Sequence, residues 1–519
     1  MLIFFMQGKK HYTEQLFKTF RLSERVPEDN FYRRLRDLLD LKWLYASTKK
    51  YYGTEGQASI DPVVFFKLIL IGYLENLGSD RRIINTVSMR LDILLFIGYD
   101  IDEPLPWHST LSRTRQLYGE EVFKDLFRQI LKQCIDKGMV AGRRQAMDSV
   151  AVKANASMSK LAEKEVLDDV NNYTDELNNN EESQRNNTVS SAMKRKVDLH
   201  HSWKKKAYRD MPKGSKEQQA ASKFVSNHTH YSTTDPDAGI SVKPGKPRQL
   251  NYHAQVAVDT AHHVITQIES HYAGKRDSQC LSSVVKNTVE NLKQNDLTVE
   301  EVLADAGYSS GEALQALEEH NIKGYIPNFG QYKPSREGFT YDKENDRYTC
   351  SRGIHLPFKK IQTTSLGYQM KVYRSSARDC GLCPLRSICI GKSDFKKIDD
   401  SVDKPLYDRM HARLQTPKAK RMKKLRSSTV EPVLGTLVNY LNMRRVNTRG
   451  IKQSNKCMLM AAIAYNLKKL MRFTARKVQA DVKAMQQSLQ NAFFDVLSAI
   501  KLCSASYSFC TIKNEIEFC

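Results

Sequence analysis

No stretch of this chain is both long and apolar enough to span a bilayer, since the longest hydrophobic run, Val63 to Tyr73, is short and broken by Lys67. Cysteine is sparse, ten in 519 residues, which excludes a disulfide scaffold and fits a reducing, cytoplasmic setting. A secretion signal is not expected either: Met1 to Met6 is shorter than a signal-peptide core, and Lys9 and Lys10 follow it instead of preceding it. Acids are in deficit, 58 Asp and Glu against 81 Lys and Arg, and the net charge of +23 makes nucleic acid the leading partner. A membrane surface is disfavoured because no long amphipathic basic anchor is present.

Hydrophobic residues make up 40% of the chain, enough to bury real cores, and the length suggests two to four structural units. The first hundred residues read as helical. Asp61-Pro62 is an N-cap followed by proline at the first helical position, and it launches a helix from Val63 that is apolar almost all round and therefore buried. Around it lie a helix over Phe31 to Tyr45, a basic helix from about Asp80, and a helix capped by Ser109 that carries Arg113 and Arg115 outward. Such a bundle can place a basic helix on DNA.

From Arg143 the pattern turns to strands. Asp148 lies on the first of these, in an alternating segment that runs to Lys153. A polar insertion over about 160–243, rich in Asn, Ser, Lys and Glu, buries little. Tyr252–Asp259 and Val264–Glu269 alternate as an antiparallel hairpin beside the Asp148 strand. A helix from Asp277 to about Leu292 comes next, then a short strand ending at Asp305 before Gly307, a helix over Ser310 to His320, and a strand near Gly324. That order predicts an α/β fold, a mixed sheet flanked by helices, with Asp148 and Asp305 on neighbouring strands.

A second excursion over about 328–426 holds Cys350, Cys380, Cys383 and Cys389, a set that can supply four thiolates to a structural zinc or remain as reduced thiols. It ends in Pro417 to Arg426, ten residues with six basic ones and no acid, which suits phosphate contact. Ser428 or Thr429 can then cap a helix with Glu431 in its first turn, where the helix dipole favours an anion. Helices over Asn455 to Phe473 and Gln479 to Leu502 complete the chain, and Cys503 to Cys519 carries no signal.

Asp148, Asp305 and Glu431 are three hard oxygen ligands delivered from distant points of a basic chain. Carboxylates so placed can hold divalent metal, and two such ions about 4 Å apart activate the attacking oxygen and stabilise the leaving one in phosphodiester cleavage and strand transfer.

Asp61 to Lys67, Trp107 to Arg113, Asp148-Ser149 with Lys153 to Ser157, Ala304 to Tyr308, Cys380 to Arg386, and Val430 to Val433 with Arg449-Gly450 form a set of segments. Together they resemble the bacterial insertion-sequence transposases of the DDE class. The similarity runs from about residue 15 to 473 in the family's order. It implies a ribonuclease H-like catalytic core, an N-terminal helical DNA-binding domain, and Asp148, Asp305 and Glu431 as catalytic ligands of Mg2+ or Mn2+. Arg426 resembles the basic residue that precedes the family's glutamate and contacts DNA near the cut. Leu434, Val438 and Val150 stand where the family often has Phe, Lys and Thr. The lysine's phosphate contact then falls to Arg444 or Arg445.

The expected organisation is a helical DNA-binding domain over 1–140, a catalytic core over 141–327 resuming at 427–475, a cysteine-containing insertion over 328–426, and a helix and tail over 476–519. Arg113, Arg115, Lys423, Lys424, Arg426, Arg444, Arg445 and Arg449 are the expected DNA contacts. The expected partners are double-stranded DNA, at the element ends and the target, and a second copy of the chain. The expected setting is the bacterial cytoplasm and nucleoid. The alternative function is a catalytically inactive DNA-binding transposase remnant.

Overall fold

A computed structural model describes residues 19–53, 59–164, 227, 230–241, 248–328, 332, 334–364, 368–473 and 487. Met1 to Met6, most of the polar stretch at 160–243, all but one residue of the helix expected over Gln479 to Leu502, and the tail after it lie outside the described residues. Two compact units are distinguished, one up to Val122 and one from Phe123. Among the described residues no helix is long and apolar enough to cross a membrane.

The first unit is all helical: Leu22–Arg25, Phe31–Leu38, Trp43–Thr48, Pro62–Leu74, Asp80–Val87, Leu91–Ile97 and His108–Leu117. Its axis is Pro62–Leu74, and the Asp61 carboxylate accepts from the backbone N–H of Val63 and Val64 at 2.6 and 3.1 Å. Phe65 and Phe66 are fully buried against Tyr118, edge-on and stacked respectively. Lys67 interrupts this apolar helix at little cost because its ammonium donates to the Phe96 carbonyl at 2.6 Å. Burial pushes the Lys67 pKa down.

Three details depart from expectation. Phe31 to Tyr45 is two helices, not one. Ser109 lies inside His108–Leu117, whose N-cap is Trp107. Arg113 is exposed, but Arg115 turns inward: it is 5% exposed and pairs with Asp80 at 2.6 Å. Two residues along a helix rotate a side chain by more than half a turn, so Arg113 and Arg115 cannot share one face.

The second unit begins within the helix Glu120–Asp136 and is built on a mixed six-stranded sheet. Its strands are β1 (Arg144–Lys153), then the short pair β2 (Leu161–Glu163) and β3 (His230–Ser232), which form a separate ribbon, then β4 (Gly239–Ser241), β5 (Gln249–Asp259), β6 (Ile265–Tyr272), β7 (Glu301–Leu303) and β8 (Lys323–Tyr325). Along the sheet the order is β4-β5-β1-β7-β8, and β6 also pairs with β5. β5 runs antiparallel to β1 and β6, whereas β7 is parallel to β1 and to β8.

One face of this sheet packs Met147, Ala257 and Val302 against Leu281, Val284 and Val285 of the helix Asp277–Lys293 and Leu314 and Leu317 of the helix Gly311–Glu319. On the other face Leu303 and Tyr325 pack against Ala419 and Met422 of the long helix Pro417–Tyr440. The helix at 451–473 covers the β6 edge. Its Asn466 amide both donates to the Ile265 carbonyl and accepts from the Ile265 N–H, and Asn455 accepts from the Ser270 N–H. These amides occupy backbone groups that an exposed edge strand would offer to another chain.

The excursion at 328–426 folds a second, five-stranded antiparallel sheet: β9 (Phe339–Asp342), β10 (Arg347–Cys350), β11 (His355–Thr363), β12 (Gln369–Arg374) and β13 (Lys397–Ser401). Tyr348, Leu356, Tyr373 and Ile398 form its core.

Candidate active site

The register of β1 against β7 brings two of the acids together. Ala146 pairs with Leu303, and Asp148 and Asp305 each lie two residues further along two parallel chains. Side chains two apart on a strand share a face, so both acids belong to the face that Leu303 presents to Pro417–Tyr440. Adjacent strands are about 4.8 Å apart, which puts the two carboxylates within strong mutual influence.

Both oxygens of Asp148 are engaged. Oδ1 accepts from the Ser149 N–H at 2.8 Å, and Oδ2 accepts from Arg426 Nη1 at 2.8 Å. Burial pushes the Asp148 carboxyl above its usual range and the Asp305 charge adds to this, while the Ser149 N–H and Arg426 pull it back without cancelling the rise. Asp305 caps the turn Ala306–Tyr308, accepting from the Gly307 N–H at 2.9 Å.

Glu431 arrives differently from expectation. Pro417–Tyr440 is one continuous helix capped by Thr416, so Glu431 sits in its middle, away from the N-terminal dipole, and Ser428 and Thr429 cap nothing. Pro432 lies within this helix, where it removes one backbone hydrogen bond. Buried contacts on either side, at Val430, Val433, Leu434 and Leu437, hold the helix through it. Glu431 is 60% exposed, and its Oε1 lies 3.6 Å from Arg426 Nη2. Arg426 thus stands between Asp148 and Glu431.

The donor types suit a hard divalent cation: carboxylate oxygens from three elements, two on one sheet face, with a guanidinium bonded to Asp148 and close to Glu431. Among the described residues, no three His, Cys, Asp or Glu side chains converge closely enough to hold a metal ion as they stand. The same holds for the cysteines. Cys350 ends β10, Cys380 is buried in the helix Ala377–Gly381 beside the Ser375 hydroxyl, Cys383 follows that helix, and Cys389 ends Arg386–Cys389.

A polar network beneath the acids was not anticipated. Gln255 on β5 is buried, donates from Nε2 to Asp277 Oδ1 at 2.7 Å, and bonds through Oε1 to the Tyr308 hydroxyl. Burial, reinforced by the charges of Asp277, Asp148 and Asp305, holds the Tyr308 phenol well above its usual range, so it stays a donor. The one sequence signal was Gln255 itself, an amide flanked by Ala254 and Val256 inside an apolar strand.

The basic candidates divide by role. Lys418, first of the basic run, is drawn onto the buried Glu301, which Arg144 also binds at 2.6 Å. Lys423 and Lys424 are exposed on Pro417–Tyr440, and Arg444, Arg445 and Arg449 are exposed after it. Arg444 bonds to the Asn439 side chain and Arg445 to that of Asn155, both neutral amides that leave the charge uncompensated.

Comparison with known families gives two matches. Residues 20–117, the helical unit, match a Transposase domain (DUF772), and residues 349–471, from β10 through the helix at 451–473, match a Transposase DDE domain. No curated protein matches. The two matches, in this order along one chain, support an insertion-sequence transposase of the DDE class.

Proposed function

We propose that this transposase binds the inverted ends of its element, cuts there with divalent metal to free a 3′ hydroxyl, and joins that hydroxyl to target DNA. The observation that carries the reading is the junction at Arg426, where acids from β1 and from Pro417–Tyr440 meet beside Asp305. The strand order, with β5 antiparallel and β7 and β8 parallel to a central β1, supports a ribonuclease H-like core at 141–327 and 427–475.

In this reading Asp148, Asp305 and Glu431 hold Mg2+ or Mn2+, and the metal supplies Lewis-acid activation of the attacking and leaving oxygens. Arg426 turns from the acids to a phosphate near the cut. Arg113, Lys423, Lys424, Arg444 and Arg449 add contacts to the DNA backbone, while Arg115 acts indirectly, through Asp80, by fixing its helix. The helical domain over 1–140 recognises the ends, and two copies act together because each end needs a site. The insertion at 328–426 stabilises the core, with a zinc clip on Cys350, Cys380, Cys383 and Cys389 that requires the cysteine turn to close on β10. The chain works in the bacterial cytoplasm, at the nucleoid.

The test is purified protein with Mg2+ and a duplex carrying the element's ends. Cutting that vanishes in Asp305→Ala and Glu431→Ala supports the reading; cutting that survives both overturns the triad. Binding without metal-dependent cutting is the outcome expected of an inactive remnant. Zinc below about half an ion per chain removes the clip.

A further inference from the structure

Trp107, at the N-terminal end of the helix His108–Leu117, leaves its indole in water: the residue is 70% exposed. An indole is among the largest apolar surfaces a chain can bury, so its exposure is costly. The ring lies on that of His108, with centroids 5.1 Å apart and planes 32° from parallel. His108 in turn accepts at Nε2 from Arg81 Nη2 at 3.4 Å. Arg81 belongs to the helix Asp80–Val87, and buried Arg115 ties the two helices together through hydrogen bonds of 2.6 and 3.1 Å to Asp80. Trp107, His108 and Arg81 thus form a layered platform on a fixed base. His108 takes one face of the indole, and the exposure of Trp107 leaves the other to solvent.

The two helices also bring cations. Arg81 and Arg82 are exposed at the start of Asp80–Val87, and Arg113 is exposed and bonded to Ser109, next to His108. His108–Leu117 carries no acid. Asp100, Asp102 and Glu103 lie in the loop before Trp107, so the positive side of the platform is the helical one.

We propose that the open face of Trp107 stacks an unpaired DNA base, with Arg81 and Arg82 on its phosphate. A base and an indole are both flat π systems, and stacking between them tolerates any base. Phosphates complement the arginines, whereas a second copy of this chain, with its charge of +23, would bring like charge to the same place. Inside a continuous duplex the faces of a base are covered by its neighbours, so the strand that fits has a base out of the stack, as at a frayed or cut end. The platform gives the helical unit a preference for such ends. Phosphate contacts do not supply it, because they favour the more densely charged duplex. The proposal rests on the reading of the chain as an enzyme acting on DNA, and adds the form of DNA that the helical unit holds.

The experiment uses the full chain and two labelled 30-base-pair duplexes, one blunt and one with three unpaired thymines at a 3′ end, compared by fluorescence anisotropy. Wild type is expected to bind the overhang duplex about tenfold more tightly than the blunt one. Trp107→Leu is expected to lose that preference while holding the blunt duplex within about twofold of wild type, and Trp107→Phe, which keeps a ring, to retain part of it. 2-Aminopurine in place of an unpaired thymine loses fluorescence on stacking, and the loss is expected with wild type and not with Trp107→Leu. Equal affinity of wild type for both duplexes, or a preference that survives Trp107→Leu, overturns the platform and leaves the proposed function standing. A Trp107→Leu chain that keeps both affinities but changes its sedimentation assigns the indole to a protein contact, which also overturns it. Wild type that binds neither duplex overturns the proposed function itself.

Discussion

Arg426 donates to Asp148 at 2.8 Å across 278 residues of chain and also reaches to 3.6 Å from Glu431, so one side chain joins two acids of the candidate site. A guanidinium there neutralises charge that the acids would otherwise offer to metal. In DNA-free protein, Arg426→Gln is therefore expected to tighten Mn2+ binding by about tenfold, a change of ~1.4 kcal/mol. The same variant is expected to cut DNA more slowly for want of a phosphate contact. Titration of free protein with Mn2+, followed by electron paramagnetic resonance, reads the first effect, and an unchanged affinity refutes the competition between arginine and metal.

Asp305→Asn and Glu431→Gln keep side-chain volume while removing a charged oxygen ligand. Each is expected to slow cutting by at least ~100-fold. Duplex binding should stay within a few-fold of wild type, because the exposed lysines and arginines remain. Single-turnover cleavage beside anisotropy makes the comparison, and equal losses in both would assign these acids to folding, not chemistry.

Tyr308→Phe deletes a buried donor and leaves Gln255 Oε1 without it. A cost of about 1–3 kcal/mol is expected. Since Gln255 also holds Asp277 at the start of the helix beside Asp305, the variant should weaken the metal dependence of cutting as well. Denaturant unfolding measures the stability term, and a change under about 0.5 kcal/mol removes the network from the account.

Glu269 provides the pH prediction. Burial alone would raise its carboxyl, but His271, Ser283 and Asn287 bond to it and the net shift is downward. A depressed folded pKa contributes stability that is present above the ordinary carboxylate range and is lost as pH falls through that range toward the folded value. Glu269→Gln is expected to melt below wild type at pH 7, and the gap should narrow as pH falls toward 3. A gap that stays constant with pH would contradict this.

Much of the local structure was legible because local rules decide it. Asp61-Pro62 capped the helix that followed, and the alternation in Tyr252–Asp259 and Val264–Glu269 folded as the hairpin β5–β6. Glu431 was misplaced because Ser428 and Thr429 are good caps in isolation and Pro432 is a poor interior residue. Burial of Val430, Val433 and Leu437 outweighs both. Arg115 was misread because charge predicts exposure only where no partner lies within, and Asp80 is 35 residues away.

The sequence by itself determined most of the elements and the basic character, since periodicity, capping and composition act over a few residues at a time, and its family resemblance nominated Asp148, Asp305 and Glu431 as candidates. Only the tertiary structure decided which groups meet. The β1–β7 register set Asp148 beside Asp305, a continuous helix brought Arg426 between Asp148 and Glu431, and the pairing of Lys153 with the 444–446 segment tied the end of β1 to the chain after Pro417–Tyr440. Apart from Arg426 and Glu431, which share one helix, those contacts join residues more than a hundred positions apart, and their free energy exists only when the intervening chain has folded and its loop-closure entropy has been spent.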